Sequence, residues 1–200
     1  MKSFAKHLLL ASLLLLFGYN ASAQNQDTKS TEVIYKPGTP RYLLVKKGFK
    51  IFKLGDPITK YQNDIILVNE DKHAGHSTYK LLSFTDPDLV TVGDSIKIND
   101  IHLDVHNGLV ASISVFVREK YKREFLKVLQ AAYGKGRQPD PNTEKYIWAA
   151  ANKKTKIVLS YSNNYQVIGR LHGNSWALFQ DINLINQHEQ DRKNEAIKDL

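Results

Sequence analysis

The sequence predicts an α+β protein: an antiparallel β-sheet packed against one main amphipathic helix, with short helices besides. Three observations carry this. Asn107-Gly108 separates two alternating apolar runs, the strongest short-range signal for a β-hairpin. From Glu119 to Tyr133, Tyr121, Phe125, Val128, Leu129 and Ala132 fall on one helical stripe, with Lys120, Lys122, Arg123, Glu124 and Lys127 opposite. Beyond Pro141, runs rich in aromatic and β-branched residues alternate with Asn and Gly, as in a succession of strands and turns.

Taken in order, the chain opens on a positive stretch with Lys2 and Lys6, an apolar run from Leu8 to Phe17, and Ala21-Ser22-Ala23, a small-x-small cleavage site. Residues 1–23 read as a secretory signal peptide cut between Ala23 and Gln24. The apolar run is too short to span a bilayer, and no later run is long and apolar enough to act as a transmembrane segment. Cysteine is absent, which rules out both a lipid-modified cysteine and a disulfide. The expected location is periplasmic or secreted, without lipidation. A chain of this length builds its core without staples. Loss of the leader takes the net charge from +8 to about +6, which bears on association rather than on fold.

Residues 24–31 read as a flexible lead-in, 32–181 as a single α+β domain and 182–200 as a charged C-terminal helix or tail. Short strands are expected at Glu32 to Tyr35 and Tyr42 to Val45, and a longer one at Phe49 to Leu54. Asp56 is a good N-cap and Pro57 a good first residue for a short helix from Ile58 to Asn63. The turn before it has one glycine, no GxGxxG and no GK[ST], so it reads as structural rather than anion-binding. Ile65 to Val68 and Thr78 to Phe84 read as strands around a polar loop. Asp86-Pro87-Asp88 is a turn, and Leu89 to Val92 a short strand.

The register of the central hairpin follows from its pattern. A two-residue loop pairs His106 with Leu109 and Asp104 with Ala111, setting polar residues against apolar ones along the ladder. A three-residue loop of His106-Asn107-Gly108 pairs Val105 with Leu109, Leu103 with Ala111 and Ile101 with Ile113. The latter is preferred, since it leaves one core face (Ile101, Leu103, Val105, Leu109, Ile113, Val115) and one wetter face. After the helix, Gly134 is placed as a C′ residue and Pro139 and Pro141 bar continuation. Antiparallel strands are expected at Lys145 to Ala151, Lys156 to Tyr161, Tyr165 to Leu171 and Ser175 to Asp181, with turns at Asn163-Asn164 and Gly173-Asn174.

The chemistry-bearing residues are sparse. His73 and His76 form an HxxH in the polar loop, and His102 and Asp104 share a strand face. Together they are nitrogen and oxygen donors of the kind zinc takes. HxxH in an irregular loop lacks the fixed geometry of HExxH on a helix, and a solvated strand face accounts for the same residues, so no metal or other cofactor is assigned. There is no GxSxG and no local motif linking a serine to a base, although a triad can be dispersed along a chain. Catalysis is therefore left open, with no catalytic residue assigned. Basic clusters at Lys46-Lys47-Lys50-Lys53, Lys120-Lys122-Arg123 and Lys153-Lys154-Lys156 come without a nucleic-acid-binding fold signature. With export, they point to an anionic envelope surface or another envelope protein, not to nucleic acid.

The leader, GFKIFKLGDPITKY, the hairpin ending NGLVASISV, the helix ending LQAAYGKG and a strand with YIW resemble small exported α+β proteins of Gram-negative bacteria. More remotely, the helix–glycine–strands order is similar to β-lactamase-inhibitory-protein-like domains and to the small lipoprotein domains of outer-membrane assembly. The resemblance implies a sheet packed on helices and a protein-binding role; the absent cysteine departs from the lipoproteins. The reading is an exported, non-catalytic cell-envelope protein that binds another macromolecule. The alternative is a small periplasmic hydrolase with dispersed catalytic residues acting on envelope material.

Overall fold

The protein is α+β. The computed structural model describes residues 35–72, 75–83, 86–163, 165–167, 170–172 and 174–198. The leader, the Ala23/Gln24 junction, the lead-in, the strand expected from Glu32, His73 and part of the Asn163-Asn164 and Gly173-Asn174 turns lie outside the described residues. The strands are β1 (Gly48–Phe49), β2 (Phe52–Lys53), β3 (Ile65–Asp71), β4 (His76–Leu81), β5 (Thr91–Val92), β6 (Ile96–His106), β7 (Leu109–Arg118), β8 (Lys145–Ala151), β9 (Lys156–Ser162), β10 (Tyr165–Val167), β11 (Arg170–His172) and β12 (Asn174–Asp181). The helices are α1 (Leu43–Lys46), α2 (Pro87–Val90), α3 (Lys122–Tyr133) and α4 (Ile182–Lys198), with 3₁₀ turns at Pro40–Tyr42, Ile58–Tyr61 and Glu119–Tyr121. The main sheet has the order β3-β4-β6-β7-β12-β9-β8, antiparallel throughout, with β5 pairing beside β6.

The central hairpin corrects the expected register. His106 pairs with Leu109, so the loop is Asn107-Gly108 alone. Both residues have positive φ, 50° and 79°, the signature of a type I′ turn whose twist suits the strands. Two residues further the register shifts: Val105 faces Val110, but Asp104 faces Ser112, leaving Ala111 as an extra residue on β7. The bulge restores the apolar face, with Leu103 opposite Ile113 and Ile101 opposite Val115. The cause is tertiary. Beside the start of β7, where β12 has ended, residues 55–58 take over the pairing. Gly55 N–H donates to the Val110 carbonyl (2.8 Å), Val110 N–H to the Asp56 carbonyl (2.9 Å) and Ile58 N–H to the Gly108 carbonyl (2.9 Å).

One face of the sheet forms the core. Ile101, Leu103, Val105, Ile113, Val115, Leu159, Ala177 and Phe179 are buried there under α3 and residues 42–54. Tyr133 and Phe49 both pack on Phe179, and Phe125 on Tyr161, with ring centroids 6.2–6.4 Å apart. The α3 stripe is narrower than expected. Phe125, Leu129 and Tyr133, four residues apart, are buried, whereas Val128 is 38% exposed. Residues 119–121 are 3₁₀ rather than α-helical.

Other expected elements change for local reasons. Tyr42 to Val45 is helical, because the adjacent Leu43 and Leu44 are both buried, which strand alternation does not allow. Phe49 to Leu54 folds back on itself as the β1–β2 hairpin through Lys50, whose φ is 56°. At its start a Cβ on Gly48 would lie 2.8 Å from the Ile113 side chain and press on the Phe52 carbonyl, so only glycine fits. Asp86 caps α2 through Asp88 N–H (2.8 Å), turning the first half of the expected Leu89 to Val92 strand into a helical turn and leaving Thr91–Val92 as β5. Asp56 makes no cap; its carboxylate accepts from Lys60 Nζ and the Tyr61 hydroxyl, both at 2.6 Å. The tail is helical over Ile182–Lys198. No helix among the described residues is long and apolar enough to cross a membrane.

Candidate functional site

The sheet face opposite the core carries the polar residues that the register selects. His76 pairs with His106, Thr78 with Asp104 and Lys80 with His102 between β4 and β6. Helix α4 lies over the hairpin end of this face. Its His188, 6% exposed, stacks on His106 with ring centroids 4.0 Å apart and lies 6.3 Å from His76; His76 meets His106 edge-on at 5.2 Å. Three imidazoles thus come from three elements. They line a cavity of about 260 Å³ with Asp71, Glu189 and Arg192. That is below the usual range for small-molecule sites.

The electrostatics favour neutral His106 and His188. Burial, then the neighbouring His188 and His76, push His106 down to about 4. Burial, then His76, lower His188 as well. His106 Nδ1 is buried without a hydrogen-bond partner. Asp104 beside them is held by two hydroxyls: Thr78 Oγ1 donates to Oδ1 (3.1 Å) and Ser112 Oγ to Oδ2 (2.6 Å). His76 Nε2 is 4.0 Å from Asp104 Oδ1.

Of the residues singled out from sequence, His76 and Asp104 come together here. His102 does not join them; its Nε2 lies 3.0 Å from Asp100 Oδ2 and its ring packs against Phe116. His73 lies outside the described residues. His106 and His188 were not among the candidates. The sequence pattern places His106 in the turn, and His188 sits in a charged segment whose packing no period announces. The stacked His106 and His188 rings are 29° from parallel. Among the described residues no group of three or more His, Cys, Asp or Glu is arranged to hold a metal. Ser112 gives its proton to Asp104 and not to an imidazole, so it is not set up as an activated nucleophile.

The same end of the sheet has an open edge. β3 is hydrogen-bonded to β4 on one side, and among the described residues no strand pairs its other side. Ile66, Leu67 and Val68 are consecutive on it and 43%, 47% and 56% exposed. No lysine or proline lies in this stretch, although a bulge interrupts the β3–β4 register between Leu67 and Asn69 and the charged Glu70 and Asp71 follow. The opposite edge differs: β8 is covered where Arg137 and Ile147 exchange backbone hydrogen bonds of 2.9 and 2.8 Å. No family model matches the chain, and no curated protein or solved structure matches it either.

Proposed function

We propose that this is an exported, non-catalytic cell-envelope protein that binds another envelope protein by adding an extended segment of it to the β3 edge. The observation that carries the reading is the exposed apolar edge at Ile66, Leu67 and Val68, unpaired among the described residues, in a sheet whose other edge is bridged at Ile147. An exposed edge offers a row of backbone donors and acceptors, and an apolar run on it adds side-chain contact to a docked strand. Export is supported by Lys2, Lys6, the Leu8 to Phe17 run and the Ala21-Ser22-Ala23 site.

The test compares immobilised wild-type protein with an Ile66→Lys/Val68→Lys variant, using envelope extract of the host at high salt. Both positions are exposed, so folding is preserved. A partner retained by the wild type and lost by the variant, and cross-linked through a photoreactive group at residue 68, supports the reading. A partner held equally by both overturns it. So does a doubling of the wild-type mass in solution through this edge, which makes the occupant a second copy.

A further inference from the structure

We propose that the cleft between residues 45–47, residues 53–56 and the start of β9 is a binding site for a phosphate group. It does not involve β3 and is independent of the reading above. The cleft has a volume of about 490 Å³, within the range of small-molecule sites. Lys46 and Lys47 enter it from the end of α1 and Lys53 from β2. Lys47 is in the left-handed region (φ 50°, ψ 23°), which turns the chain sharply after α1. Leu54 N–H donates to the Lys47 carbonyl (2.7 Å), which clamps the two lysine-bearing segments together.

These cations lack anionic partners, although Lys46 Nζ lies over the Tyr42 ring, 5.4 Å from its centroid. Among the described residues, none of Lys46, Lys47 and Lys53 forms an ion pair. The half-buried Lys53 ammonium has three protons to donate, and its protein acceptor is the Lys50 carbonyl at 2.9 Å. Burial, and next Lys46, hold Lys53 below the ordinary lysine range. Two carboxylates also line the cleft, but both are engaged. Asp56 accepts from Lys60 and Tyr61, and Asp181 Oδ1 accepts from the N–H groups of Asn183 (3.0 Å) and Leu184 (3.4 Å) at the start of α4. The fold therefore gathers cations that repel one another, offset in part at Lys53 by the charge of Asp56, and leaves donors unspent. An anion relieves both.

The donor set favours phosphate over a carboxylate. Three separate ammonium groups are compact point charges that suit the spread oxygens of a tetrahedral anion, whereas a planar carboxylate is matched by an arginine fork. Val45, Leu54 and Ile157 add apolar wall, suited to the organic part of a phosphate ester or a lipid headgroup.

The experiment titrates ¹⁵N-labelled protein with inorganic phosphate and, separately, measures sedimentation with phosphatidylglycerol vesicles against phosphatidylcholine vesicles. Expected are saturable shifts at Leu54 and Gly55 or binding to the anionic vesicles. Either should weaken about tenfold or more in Lys53→Gln, the loss of one charge-assisted hydrogen bond. Lys46→Gln, at an exposed position, repeats the test should Lys53→Gln fold poorly, and Lys120→Gln, outside the cleft, should change nothing. Shifts with phosphate alone assign a soluble ester; vesicle binding assigns a headgroup. No response to either probe, or a response that all three variants share with the wild type, overturns the proposal.

Discussion

His106, the last residue of β6, stacks on His188 of α4 with 4.0 Å between ring centroids, and this contact ties the C-terminal helix to the central hairpin. It joins a strand and a helix that the sequence leaves unrelated, and His106 titrates. The groups facing the pair are His76 on β4, Asp104 on β6, Asp71 on β3, and Glu189, Asp191 and Arg192 on α4.

Folded His106 titrates near 4, and unfolded histidine near 6.5. Between those values the unfolded chain holds the extra proton, so its contribution is fully present above about pH 6.5 and is lost as pH falls toward 4. Solvent screening of a half-buried ring discounts this to roughly 1 kcal/mol. Urea midpoints at pH 7 and pH 4.5 check it. His106→Asn, neutral throughout, should shallow the fall between them; an unchanged fall would mean that the acid sensitivity lies elsewhere.

The Asn107-Gly108 turn demands positive φ at both positions. Gly108→Ala keeps the space free, since nothing lies within 4 Å of the added Cβ, but strains the backbone at φ 79°. The expected loss is about 1 kcal/mol of unfolding free energy. Chemical denaturation measures it, and a neutral result would contradict the two-residue turn.

The face of α3 is testable by a matched pair. Leu129→Ala should cost about 2–5 kcal/mol, because Leu129 is 3% exposed, whereas Val128→Ala should stay within about 0.5 kcal/mol. Equal losses would mean that the helix is rotated from the orientation described.

The α+β class, the main helix and the strand periods were legible in the sequence because each rests on local periodicity. Lys145–Ala151 appears with the expected bounds, and Phe125 and Leu129 point inward as their spacing requires. The short N-terminal elements were not legible. Leu43 and Leu44 look like any apolar pair until both are seen to be buried under one core. The candidate site was half legible: His76 and Asp104 lie diagonally, two residues apart in register, on neighbouring strands, while His188 arrives from 82 residues beyond His106 on a helix with no apolar stripe to fix its orientation.

The sequence by itself determined the core face of the hairpin away from its tip, because alternation of period two allows only one apolar face there. At the tip Val110, expected on the wetter face, is buried opposite Val105, and Leu109, expected in the core, is only half-buried opposite His106. The sequence did not determine how the register achieves that face. The turn keeps its preferred two residues, and the bulge at Ala111 absorbs the mismatch, since residues 55–58 occupy the place that β12 vacates beside Val110. That choice depends on hydrogen bonds between segments some fifty residues apart, which no local pattern encodes. The histidine cluster, the open β3 edge and the lysine cleft arise in the same way, from residues that only the folded chain makes neighbours.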